Sequence, residues 1–175
     1  MAAGLPLLGI VINEIVGVAG VPVAMARWQR FDAARLFPRR MPRPVEWLLL
    51  TTLMAGAVVL MDYATWASEL VLPLPEAMQQ TFERLMAVAT PFDFLFKLLA
   101  LCALPGICEE IFFRGFCQTS LSSAWGRCRG LAVAALIFAL LHGNPYYVHL
   151  LLLLGLLFGW IFLTAGTLYA SIYSH

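Results

Sequence analysis

Residues 5–25 form an almost unbroken apolar run, and at 1.5 Å per residue a helix of that length crosses a bilayer core of about 30 Å. Runs of the same kind recur at 45–61, 92–104, 108–121, 131–141 and 148–163. A chain built this way cannot hide its apolar surface in one water-soluble core. Its 62% hydrophobic and 12% charged residues agree, since soluble domains carry about 25% charged residues. Disorder, a collagen-like fibre and a disulfide-stapled scaffold are excluded as well. The four cysteines, Cys102, Cys108, Cys117 and Cys128, lie in or beside apolar runs and read as small packing residues, with Cys108 the one to check for reactivity. A net charge of +1 gives no field that would draw in nucleic acid. The expected fold is all-α: a polytopic transmembrane bundle of about five full spans and a short sixth segment.

No cationic segment precedes the first run and no small-residue cleavage site follows it, so it reads as an integral helix. Arg27, Arg30, Arg35, Arg39, Arg40 and Arg43 then crowd a proline-broken loop, which places residues 27–43 in the cytoplasm and the N-terminus outside. After the second span, expected over 45–61, the charges of 62–83 are all acidic (Asp62, Glu69, Glu76, Glu83) and belong on the opposite side. Within 75–90, Met78, Phe82, Leu85, Met86 and Ala89 recur at helical spacing. They form either an interfacial amphipathic helix or the first turns of a third span. Pro105 should kink or break the helix that carries it. Residues 122–130 are expected to connect two spans on the cytoplasmic side, His142-Gly143-Asn144-Pro145 to form a turn, and Gly155 and Gly159 to allow close helix approach. No internal repeat is visible.

An ionisable side chain inside a span costs at least ~2.5 kcal/mol, so each one needs a reason. Glu109 and Glu110 point about 100° apart on a helix and cannot do the same job. Arg114, four residues beyond Glu110, neutralises it on the same face, which leaves Glu109 without a local counter-ion and suited to proton exchange. Seventeen residues separate Glu109 from Gly126 and twelve separate Gly130 from His142, so the two lie roughly 25 Å and 18 Å from the turn. They can meet across a helical hairpin, with Phe138 walling the histidine. If they share one water, their polar atoms should lie on the order of 4 to 7 Å apart. Glu14 beside Asn13 reads first as an interhelical hydrogen bond and second as a reactive group. His149 belongs at a membrane boundary, and no His-Glu-x-x-His helix supports a zincin.

Glu109-Glu110-x-x-x-Arg114-Gly115 followed by Phe138-x-x-x-His142 resembles the first two motifs of the CPBP intramembrane proteases, relatives of the eukaryotic CAAX prenyl endopeptidase. The resemblance covers roughly residues 105–175; with the apolar runs it gives one membrane domain over 1–175, two N-terminal spans in 1–64 and a protease-like core in 92–175. It implies that Glu109 and His142 activate the attacking water while Glu110 and Arg114 support the site. His175 fits the histidine of the third motif, as donor to the oxyanion, but the Asn or Asp expected four residues later has no counterpart. The expectation that follows is a chain truncated at that motif, with a sixth segment about 12 Å long and a His175 ring that lacks the turn needed to orient it. Whether a divalent metal is used is left open; if one is, Glu109, His142 and His175 are its ligands. The expected activity is hydrolysis of a peptide bond in a membrane-associated or lipidated peptide, in the bacterial cytoplasmic membrane, with no nucleic-acid partner. Two other classes stand beside it: a non-catalytic immunity or binding protein, and a proton-coupled carrier using Glu14, Glu109, Glu110 and His142.

Overall fold

The computed structural model describes residues 4–175, and every regular element among them is helical. Helix α1 is continuous over 4–28, α-helical at Gly4–Ile12, π-wound at Asn13–Gly20 and α-helical again at Val21–Trp28. A short α2 (Ala33–Leu36) interrupts the arginine-rich loop, and α3 follows at Pro44–Val71. Then come α4 (Glu76–Met86), α5 (Pro91–Trp125), α6 (Arg127–Leu141), α7 (Val148–Ala165) and α8 (Leu168–Ser174). Among the described residues α1, α3, α5 and α7 are long and apolar enough to cross a membrane. Helix α6 has 15 residues, about 22 Å, and is a shorter fifth; α8 is the short sixth.

Three boundaries differ from expectation. Helix α3 continues ten residues past Met61, because Asp62 and Glu69 stand two turns apart on its exposed side and the first helix breaker is Pro73. The connection expected over 122–130 shrinks to Gly126, whose φ of 84° is a conformation that glycine takes without steric cost. Pro105 leaves α5 continuous. A proline ring collides with the carbonyl four residues before it, and in α5 a π-wound stretch at Leu99–Ala103 opens the turn just ahead of Pro105. Pro22 follows the π-wound stretch of α1 in the same way. The amphipathic segment forms its own helix, α4, with no buried residue. It is separated from α5 by Thr90, whose hydroxyl accepts from the Asp93 amide and caps the new helix.

Helix α6 packs between the C-terminal half of α5 and α7. The approach is close because Gly155 and Gly159 carry no side chain. A Cβ at Gly155 would sit 3.1 Å from the backbone of Ala135, and one at Gly159 would sit 2.5 Å from Gln118 Oε1. Bare glycine also leaves the carbonyls of α7 open to polar side chains. Arg114 donates to the Gly155 carbonyl at 3.0 Å and Gln118 to that of Gly159 at 2.9 Å, two rungs at matching four-residue spacing. Helix α8 folds back against α3, α5 and α7, and α1 lies along the middle of α5.

The loop before α3 is fastened to the α7–α8 turn. Arg40 donates to the Ala165 carbonyl at 2.8 Å and pairs with Glu46 at 2.9 Å, while the Leu168 amide donates to Pro38 at 3.0 Å. At the other end, Tyr147 donates to Glu69 at 2.6 Å. That hydrogen bond pushes the Tyr147 phenol up to about 12. Its stabilising contribution is present below the ordinary phenol value of about 10 and is lost as pH rises through about 12.

Two outcomes follow. Gly155→Val should destabilise the bundle by about 1–3 kcal/mol through overpacking, whereas Gly56→Ala, where nothing lies within 4 Å, should leave thermal unfolding in detergent unchanged or improved. A cysteine at Gln29 in a cysteine-free background should react with an impermeant reagent only from the cytoplasmic side, since the arginines set that orientation.

Candidate active site

The polar site is assembled from four helices. Helix α5 contributes Glu109, Glu110 and Arg114; α6 ends at His142; α8 ends at His175; and the π-wound part of α1 brings Asn13 and Glu14. The spacing of the α5 residues fixes their division. Glu110 is fully buried and pairs with Arg114 at 2.8 Å, one turn on. The guanidinium also lies 4.9 Å from the ring centre of Phe138, 5.5 Å from Phe158 and 5.9 Å from Phe113. A cation sealed this way has no water, so the carboxylate, the Gly155 carbonyl and three aromatic faces replace its hydration.

Glu109 turns away from this pair toward the two histidines. Its Oε2 lies 3.8 Å from His142 Nε2, just under the 4 to 7 Å expected of that pair, and 3.9 Å from His175 Nε2. Both rings are oriented through their other nitrogen. His142 Nδ1 is 2.7 Å from the Phe138 carbonyl, which can only accept, so Nδ1 carries a proton and Nε2 is the atom that faces Glu109. His175 Nδ1 is 3.1 Å from Glu110 Oε1 and donates to it in the same way. Phe138 therefore positions His142 twice, by its carbonyl and by its ring at 4.5 Å.

The expectation that His175 lacks support is corrected. Its amide donates to Ser171 at 3.0 Å, closing the last turn of α8. Its ring stacks on Phe158 at 5.1 Å and 24°, meets Phe138 edge-on at 6.3 Å, and lies beside Gly106. Glu110 and Phe158, on neighbouring helices, hold the ring in its orientation.

The five residues expected from sequence thus converge on one cluster, and His149 is exposed at the start of α7. Glu14 was expected first to hold an interhelical hydrogen bond. Its buried Oε2 has no such partner among the described residues, and the side chain instead lines a cavity of about 460 Å³ with Asn13, Phe112, Glu109 and His142. A polar pair inside an apolar run was the signal for it; nothing in the sequence told which neighbouring helix it would face. Gln118 and Phe158, which brace the site from behind, carried no signal of their own.

For a metal, tetrahedral ligands with bonds of about 2.1 Å lie about 3.4 Å apart. Glu109 is 3.8 and 3.9 Å from the histidines, and among the described residues no three His, Cys, Asp or Glu side chains form a metal cage. No resident metal is assigned to this set, and no step is routed through one. The cluster brings Glu109 Oε2 within 4 Å of two imidazole Nε2 atoms, around one point that a small polar molecule can reach.

Residues 91–175 match the family described as type II CAAX prenyl endopeptidase, Rce1-like. No curated protein and no solved structure matches the chain.

Removing Arg114 should expose the energetic weight of the pair. Arg114→Met leaves Glu110 buried with only the His175 contact and without its cation, and should cost about 3–5 kcal/mol of stability. The double variant Glu110→Gln/Arg114→Met should recover most of it. Thermal unfolding of the two variants beside the parent measures the difference.

Proposed function

With residues 91–175 of the Rce1-like, type II CAAX prenyl endopeptidase kind, we propose that the chain is an integral-membrane endopeptidase that hydrolyses a peptide bond in a lipidated or otherwise membrane-anchored peptide, with water as the nucleophile. The family is one of proteases, and the apolar helices make this member an integral membrane protein. The observation that carries the mechanism is the convergence of Glu109 Oε2 with His142 Nε2 at 3.8 Å, both as acceptors.

Two acceptors that face each other need a shared donor. A water at ordinary hydrogen-bond lengths of about 2.8 Å from each atom subtends about 85° between them, close to its own bond angle. Both of its protons then point into the protein and its lone pairs point away, toward an incoming carbonyl carbon. Glu109 takes the proton as the oxygen–carbon bond forms, and His142 keeps the oxygen aimed. His175, when doubly protonated, donates Nδ1–H to Glu110 and has Nε2–H free for the oxygen of the carbonyl as negative charge gathers there. Arg114 holds Glu110 in place for that contact and does not touch the reacting atoms. The arginine-rich end is proposed to face the cytoplasm of a bacterial cell.

Purified protein in liposomes, supplied with a prenylated peptide bearing a free C-terminus, tests the proposal. Cleavage should fall at least about 100-fold in Glu109→Gln, as expected on losing a general base, and by a smaller factor in Glu110→Gln, which keeps a hydrogen-bond acceptor for His175. Full activity in Glu109→Gln contradicts the mechanism.

A further inference from the structure

Water attack on one face of an amide leaves the nitrogen lone pair pointing to the other face, where the departing amine must collect a proton. Glu109 and His142 stand on the face from which the water comes. The α1 wall of the same cavity carries Glu14, which is 93% buried, with its Oε2 unpartnered among the described residues. A charged carboxylate kept there without a counter-ion would be costly, so the group is suited to hold a proton and release it to a base. The winding of the backbone ahead of Pro22 also bears on where this side chain stands. Helix α1 is π-wound over Asn13–Gly20, and such windings concentrate at functional sites because they turn a side chain out of the regular helical register.

We propose that Glu14 is a proton donor of this site, delivering across the cavity the proton that the departing amine requires. The proposal rests on the endopeptidase reading. The step balances. The water oxygen bonds to the carbonyl carbon and one water proton passes to Glu109. The carbon–nitrogen bond then breaks, its electron pair goes to nitrogen, and nitrogen takes the Glu14 proton. The proton on Glu109 returns to Glu14 through water in the cavity, so no co-reactant is consumed. The polar groups that line this cavity with Glu14 are Glu109 of α5, His142 of α6 and Asn13 of α1 itself, with His175 of α8 and Cys108 of α5 close enough for its charge to be felt. Neither histidine pairs directly with Glu14.

The test uses the full chain in liposomes and reads kcat, KM and the pH profile for Glu14→Gln and Glu14→Asp. Gln keeps the size and hydrogen bonding of Glu but cannot release a proton. Glu14→Gln should lower kcat about 100-fold with KM within about twofold, and should flatten the alkaline limb of the profile. Glu14→Asp should restore much of the rate. Wild-type kcat and an unchanged profile in Glu14→Gln overturn the proposal while leaving the endopeptidase reading intact. Loss of cleavage in the parent would instead overturn that reading, and an infrared measurement then decides on Glu14 by itself. A protonated-carboxyl band at neutral pH, exchangeable with heavy water and missing in Glu14→Gln, is the expected result; a spectrum unchanged by the substitution overturns the assignment.

Discussion

The ion pair between Arg114 and Glu110 is the interaction on which the rest of the molecule depends. One guanidinium neutralises a fully buried carboxylate, holds the backbone of α7 at Gly155 and fills the space between Phe113, Phe138 and Phe158. It therefore joins α5, α6 and α7 at the level of the candidate chemistry. A buried pair contributes little net stability by itself, but either partner alone would be an uncompensated charge in a low-dielectric interior. The arrangement is consequently all or nothing, and it fixes the rotation of α5 about its own axis. With Glu110 committed to Arg114, the preceding residue has to face elsewhere, and the site lies where Glu109 points.

Regular α-helices would not suffice to bring these groups together. The π-wound stretches ahead of Pro22 and Pro105 let α1 and α5 pass a proline without breaking, and that of α1 carries Asn13 and Glu14 at the cavity. A third π-wound stretch, Ile111–Gln118, begins directly after Glu110 and spans Arg114 and Gln118, which reach across to α7 at Gly155 and Gly159. Glycine at those two positions exchanges side-chain packing for backbone exposure, and the exposed carbonyls take the polar side chains that a membrane interior cannot solvate.

Much of this was legible in the sequence because charges are rare in apolar runs. Glu109, Glu110 and Arg114 declare themselves by their mere presence, and their spacing assigns the pair. The depth of His142 follows from counting residues through the hairpin. Rotation about a helix axis does not follow from counting, so the facing of Glu14 toward Glu109 was invisible. The windings were invisible too: two stand ahead of Pro22 and Pro105, but the third, over Ile111–Gln118, has no proline to announce it. Helix α3 overran its expected end for a related reason: acidic residues mark where a span leaves the apolar region but do not stop a helix from winding. The hold on His175 depends on Glu110 and Phe158, which are distant in sequence, and local reasoning about α8 saw only a short terminal helix.

The account stands on water being the nucleophile, held by Glu109 and His142, with no covalent intermediate on Cys108 or any other side chain. Single-turnover cleavage in isotopically labelled water, with hydroxylamine present as a trap, measures this directly. The account predicts one solvent oxygen in the new carboxylate and no hydroxamate product. A hydroxamate formed in proportion to the trap would reveal an acyl-enzyme and contradict it.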